Sequence, residues 1–239
     1  MTQRLNGLTR HDIRELEPVL KVIEQTMGGF VPNSMFIMAR NMELMEGFGV
    51  LSAAVFRGEA SARPHPLKAL FAGLRYRWRT RRNPSAKPIS SDLRVLIFTA
   101  VSLSAGCRYC QAHSAMLSAR RGVSPEKIDD ILDYENSEFY SAAERAALAL
   151  AFAAGRTPNE TTAQHFSSLK EHYSDEQIID IVAAIAYMGF LNRWNDTFAT
   201  LLEDQPLRFA SDELKKVSWD VGKHSQQEQG QQEAAEKSS

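Results

Sequence analysis

Helix-start chemistry recurs along this chain, and strand-like alternation hardly occurs. Ser141-Ala142-Ala143-Glu144, Thr157-Pro158-Asn159-Glu160 and Ser174-Asp175-Glu176-Gln177 each set a hydroxyl three residues before a side chain able to bond back to the cap's own N–H. Ser124-Pro125-Glu126 puts proline at the first helical position, where its missing N–H costs nothing. Thr9 with Asp12 caps a helix to about residue 27, and Gly28-Gly29 stops it. Further helices are expected over 33–40, 42–56 and 67–80. Ser90-Ser91 caps an apolar helix through Leu93, Leu96, Ile97, Ala100, Val101 and Leu103 that ends at Gly106. Others follow over 107–121, over a long apolar 178–202 and over 207–219. The expected fold is an all-α bundle of roughly nine to ten helices. It forms one domain over 1–220, with N-terminal helices and a basic loop in 1–88 and a core in 89–205. From residue 221 the chain is mostly Gln, Glu, Lys and Ser, which predicts a disordered tail over 221–239.

Two cysteines, Cys107 and Cys110, are the whole thiol content, and they open a helix as Gly106-Cys107-Arg108-Tyr109-Cys110-Gln111-Ala112-His113. At a helix start, unpaired N–H groups and the dipole favour a thiolate at the first cysteine. Steps of three residues place Cys107, Cys110 and His113 on one slanted stripe, with Cys110 between the other two. His113 is thereby placed to take a proton from Cys110. Either thiol can attack first, since Cys107 has the helix terminus and Cys110 the histidine. The catalytic candidates are Cys107, Cys110 and His113. Competing readings are inert buried cysteines, a helix-face histidine, or a zinc site needing a fourth ligand from His65, His165 or His172. Neither a metal nor a cofactor is expected.

The remaining sequence narrows the function classes. A net charge of −1 over 239 residues gives no general attraction to nucleic acid or anionic membrane. The basic run Arg75-Tyr76-Arg77-Trp78-Arg79-Thr80-Arg81-Arg82 reads as a solvated helix end in preference to a phosphate-binding patch. No apolar run approaches the ~20 residues that span a bilayer, and residues 1–14 lack the apolar stretch of a secretory signal. A single cysteine pair cycling between thiol and disulfide fits the cytoplasm. Arg193-Trp194-Asn195-Asp196, following an apolar helix, reads as a buried polar network or subunit contact, or else as lining of the thiol site.

The stretch from Val101 to His113 resembles the alkylhydroperoxidase AhpD-like branch of the carboxymuconolactone decarboxylase family. Met27-Gly28-Gly29-Phe30-Val31-Pro32-Asn33-Ser34 with Ile37-Met38-Ala39-Arg40, and Gly189 to Asp196, look like peroxidase-related members of it. The resemblance implies an AhpD-like helical fold and homo-oligomers, commonly trimers or hexamers. It also implies peroxidase or disulfide-reductase chemistry, with Cys110 tied to the proton relay. Two positions depart from the family pattern: Val95 stands where the peroxidase branch has glutamate, and Ser114 where it has histidine. Asp92, Asp196 or Asn195 are candidates to fill the gap.

The expected activity is therefore thiol-dependent reduction of a hydroperoxide, with an external dithiol or protein as reductant. One alternative is a disulfide reductase acting on a partner protein. The other is a non-catalytic redox-sensing or structural helical oligomer.

Overall fold

The computed structural model describes residues 6–26, 29–55, 71, 74, 75 and 87–225. The helix expected over 67–80, with its basic run, falls almost wholly outside them, as do His65 and the chain beyond 225. Among the described residues there are ten α-helices and no strand, in line with the all-α expectation. They are α1 (Glu17–Thr26), α2 (Asn33–Met38), α3 (Met42–Val55), α4 (Ser91–Ala105), α5 (Arg108–Arg120), α6 (Pro125–Asp129), α7 (Ala142–Gly155), α8 (Ala163–Lys170), α9 (Asp175–Phe198) and α10 (Asp204–Glu213). No described helix is long and apolar enough to cross a membrane.

The chain divides into two compact units, Met1–Pro88 with Ser174–Ile179, and Ile89–Tyr173 with Asp180–Ser239. In the first, Ile13, Leu16, Leu20, Ala39 and Met45 are buried together, with Val19, Ile23, Phe36 and Met42 packed around them. Thr9 N–H and hydroxyl both donate to Asp12 Oδ2, at 2.8 and 2.7 Å, but they close a turn and not the expected helix start: a 3-10 turn over Arg14–Leu16 follows, and α1 begins only at Glu17. The Ser174 box forms, with Ser174 N–H to Gln177 Oε1 at 3.0 Å.

The second unit is built on α4, which packs most extensively against α5 and α7. Leu93, Leu96, Ile97, Ala100 and Val101 supply its buried face, Ala112 and Ala115 the facing stripe of α5, and Ala147, Leu148, Leu150 and Ala151 that of α7. The small side chains on α5 let the helices approach closely, and the hydroxyls caught between them bond to helix carbonyls. Thr99 donates to Val95 O (3.1 Å), Ser102 to Phe98 O (2.8 Å) and Ser118 to Ser114 O (2.9 Å), so no hydroxyl of that set is buried without a partner. At the other interface, a Cβ on Gly155 would stand 2.9 Å from Ser104 Cβ and 3.1 Å from Val101 O. Gly155→Ala should therefore force α4 and α7 apart and cost about 1–3 kcal/mol, read as a lower midpoint in urea denaturation.

Further expectations are corrected. The helix expected over 207–219 is α10, which ends at Glu213 and is followed by a 3-10 turn at Lys215–Val217. No helix starts at Thr157. Glu160, the expected N3 partner, pairs with Arg156 at 2.9 Å, and Thr161 N–H bonds Asn159 Oδ1 in a tight side-chain turn. The helix begins at Ala163 instead, where Thr162 N–H donates to His165 Nδ1 (3.0 Å), so a histidine serves as the N3 acceptor. α9 stops at Phe198, short of residue 202, because Ala199 turns left-handed (φ 46) and Thr200 N–H closes onto Asn195 O at 3.1 Å. Finally, 221–225 is not part of a disordered tail. Gly222–His224 is a 3-10 turn, anchored by a buried His224.

Candidate active site

Gly106 ends α4 in the left-handed region (φ 77) with its N–H on Leu103 O, and the next residue, Cys107, is already the N-cap of α5. Its backbone is extended, and its carbonyl accepts the first helical bond, from Gln111 N–H at 3.0 Å. The Cys107 side chain thus takes the place where Ser or Asp ordinarily satisfies the free N–H groups. Cys110 is the N3 residue. Both are free thiols and are buried, 1% and 3% exposed.

The two sulfurs are not equivalent. The Cys110 thiol is directed at the Cys107 sulfur and stabilises its thiolate; burial opposes this, and the Cys110 backbone N–H assists it. The Cys107 pKa is consequently held below the ordinary thiol value. Cys110 moves the other way. Its proton is held in the bond to Cys107, and burial beside that negative sulfur pushes its pKa far up. The Asn195 side-chain amide donates to Cys110 Sγ at 3.6 Å and to Leu191 O at 3.0 Å. That donor is placed to stabilise Cys110 as a leaving thiolate when a disulfide of the pair is reduced.

Beside Cys107 stands His224, from the segment expected to be a disordered tail. Cys107 Sγ, an Asp196 carboxylate oxygen and a His224 ring nitrogen all lie within 4.8 Å of one another. His224 is 1% exposed. Its Nδ1 lies 2.7 Å from Thr200 O, and its Nε2, 3.6 Å from Asp196 Oδ1, has no hydrogen-bond partner among the described residues. Lys223 Nζ binds the other Asp196 oxygen at 2.9 Å. Three protein donors, one of them a carboxylate already bound by Lys223, do not make up the four ligands of a structural zinc site.

The other candidates are placed as follows. His113 is half-exposed: its Nε2 lies 2.8 Å from Glu203 Oε2, and its ring is 4.4 Å from that of Tyr109. Tyr109 donates its hydroxyl to Glu203 Oε1 at 3.0 Å. Burial alone would raise the Glu203 carboxyl, but its own backbone N–H, His113 and Tyr109 together hold it low. For Tyr109, burial and the bond to Glu203 push the phenol up to about 12.

Val95 and Ser114 are both buried, and Ser114 donates to Gln111 O, so neither position supplies an acid or a base. Asp92 lies in the first turn of α4, about 20 Å along the helix from Cys107. There it lines a separate cavity with Leu96, Gly122, Val123, Ser124 and Lys127. Of the Arg193–Asp196 run, Asn195 and Asp196 reach the thiols, whereas Trp194 is 53% exposed in an aromatic row with Phe190 and Phe198. His165 is engaged in its helix cap, and His172 is exposed.

Several known proteins share this arrangement of sequence. Residues 69–155 match the sequence profile of the carboxymuconolactone decarboxylase family. An uncharacterized protein of Bacillus subtilis (strain 168), YdfG, is 30% identical over 112 residues, which is 45% of this chain and 71% of that protein. The debrominase Bmp8 is 32% identical. Its cysteine-to-alanine variant in complex with 2,3,4-tribromopyrrole superposes with a TM-score of 0.52 over 89% of this chain and 98% of that one. Its apo form gives 0.51 over 88% and 98%. With the profile lying across the cysteine-bearing helices and these relatives matched over most of their own length, the chain belongs to the carboxymuconolactone decarboxylase family.

Proposed function

We propose that the protein is a thiol-dependent oxidoreductase that reduces a small hydroperoxide, with Cys107 as the attacking thiolate and Cys110 as the resolving thiol. The observation that carries this reading is the asymmetric pair itself: two free, buried thiols one helical turn apart, with the Cys107 pKa held below the ordinary thiol value and that of Cys110 pushed up. The Cys107 thiolate attacks the terminal peroxide oxygen, the O–O bond breaks, and an alcohol leaves once the alkoxide is protonated. Cys107 is then a sulfenic acid. Cys110 attacks its sulfur and gives its own proton to the departing hydroxide, which releases water and closes the disulfide. An external dithiol restores both thiols. The burial of both sulfurs favours small acceptors over the disulfides of partner proteins, which need an accessible thiol.

A second acceptor is favoured by the likeness to a debrominase over nearly its whole length. In reductive debromination the thiolate takes bromine from the ring, a proton replaces it on carbon, and Cys110 displaces bromide to give the same disulfide. The two acceptors are separable. Reduced protein is mixed with one equivalent of cumene hydroperoxide or of 2,3,4-tribromopyrrole, then examined by intact mass and product analysis. The expected result is loss of two hydrogens from the chain, matched by alcohol from the first acceptor or by debrominated pyrrole from the second. If the pair stays reduced with both, the reading fails.

A further inference from the structure

We infer that His224 is the catalytic base and acid of Cys107, carried to it by a C-terminal strap spanning 214–225. This rests on reading Cys107 as the attacking thiol, but not on which acceptor it reduces. The strap is tied down at several points around the start of α5. Leu214 is buried, Trp219 Nε1 donates to Arg108 O at 3.3 Å, and Asp220 pairs with Arg108 at 3.3 Å. At its end, His224 O accepts Leu202 N–H at 2.9 Å.

The tautomer follows from the partners. A carbonyl oxygen only accepts, so the His224 nitrogen facing Thr200 O carries hydrogen, and in the neutral ring Nε2 is left with its lone pair. That lone pair is buried, makes no hydrogen bond among the described residues, and lies in the cluster with Cys107 Sγ. Within that three-residue cluster, the thiol is the group with a proton to give. Anchoring the strap accounts for Nδ1 and the backbone carbonyl. It does not account for an acceptor nitrogen buried against a thiol without a hydrogen bond, an arrangement that costs free energy and that anchoring does not require.

The proton path closes. Cys107 S–H gives its proton to Nε2, leaving a thiolate beside an imidazolium. The imidazolium returns that proton to the leaving oxygen when the O–O bond breaks, and the ring is neutral again for the next cycle. Asp196 Oδ1 faces the ring at 3.6 Å from Nε2, and Lys223 binds the other Asp196 oxygen. Those two are the charged groups next to the ring. The Tyr109 ring packs 5.8 Å away, with Glu203 and His113 bound beyond it.

The test is the pH profile of iodoacetamide alkylation at Cys107, followed by peptide mass in the full-length chain. The chains compared are wild type, His224→Asn and His224→Ala. Asparagine keeps an amide N–H for Thr200 O and supplies no base. Expected for His224→Asn is an alkylation midpoint about one pH unit higher and a rate about tenfold lower near neutrality, converging with wild type in alkali. Superimposed profiles for His224→Asn and wild type would overturn the inference. So would faster alkylation in both His224 variants, which would make the strap a cover and nothing more. Alkylation needs no acceptor, so a protein that reduces neither hydroperoxide nor bromopyrrole would still decide the role of His224.

Discussion

Cys107→Ser is expected to abolish reduction of either acceptor, by at least about 10³-fold, because a serine hydroxyl in that place is neither ionised nor a match for a thiolate as nucleophile. Cys110→Ser behaves differently. The first chemical step survives, each chain turns over once, and the reaction stalls with Cys107 as a sulfenic acid that dimedone traps. Burst kinetics with a stoichiometric dimedone adduct at Cys107 is the expected signature. The opposite pattern, a burst in Cys107→Ser and none in Cys110→Ser, would reverse the roles of the two thiols. The bond from the Cys110 thiol to Cys107 adds a second reading. Cys110→Ala removes that donor, whereas a serine hydroxyl replaces it, so the burst in Cys110→Ala should need a higher pH than the wild-type reaction.

Leu148→Ala is the largest expected stability effect. Leu148 is fully buried on α7 in the unit that holds the site, beside Ala147 and Ala151, whose small side chains cannot expand into the space left behind. Truncation of a leucine in such a position costs about 2–5 kcal/mol. For a chain of this size that corresponds to a fall of roughly 4–20 °C in Tm. Leu20→Ala, in the core of the other unit, is the natural comparison. Calorimetry of the two variants will show whether both lower one transition or each lowers its own, which is the thermodynamic meaning of a chain with two compact units.

Much of the fold was written in local chemistry. The caps at Ser90, Ser141 and Ser174 form because each needs only residues three positions apart, and the sequence shows those directly. The box at Thr157 failed where a competitor was equally local, since Arg156 lies four residues from Glu160 and binds its carboxylate. Cys107 and Cys110 were legible for the same reason, being one helical turn apart.

The partners of the thiols were not legible in that way. Asn195 lies 85 positions from Cys110, and only its place after an apolar helix hinted that it had something to meet. His224 gave weaker signals still. It sits among polar residues with no periodic apolar pattern, and one buried anchor such as Leu214 does not mark a segment as folded. His113 had the right spacing to meet Cys110, yet spacing fixes only a shared face of the helix. On that face Glu203, from a distant loop, binds its Nε2.

The distance along the chain between Cys107 and His224 also governs when the reactive thiol comes into being. While the protein is being synthesised, α4 and α5 can pack as soon as they are made, but the nascent chain then holds two thiols without the strap. His224 arrives more than a hundred residues later. A fragment cut before the strap therefore carries the cysteine pair without the group beside Cys107, and the whole site assembles only once residue 224 has been made.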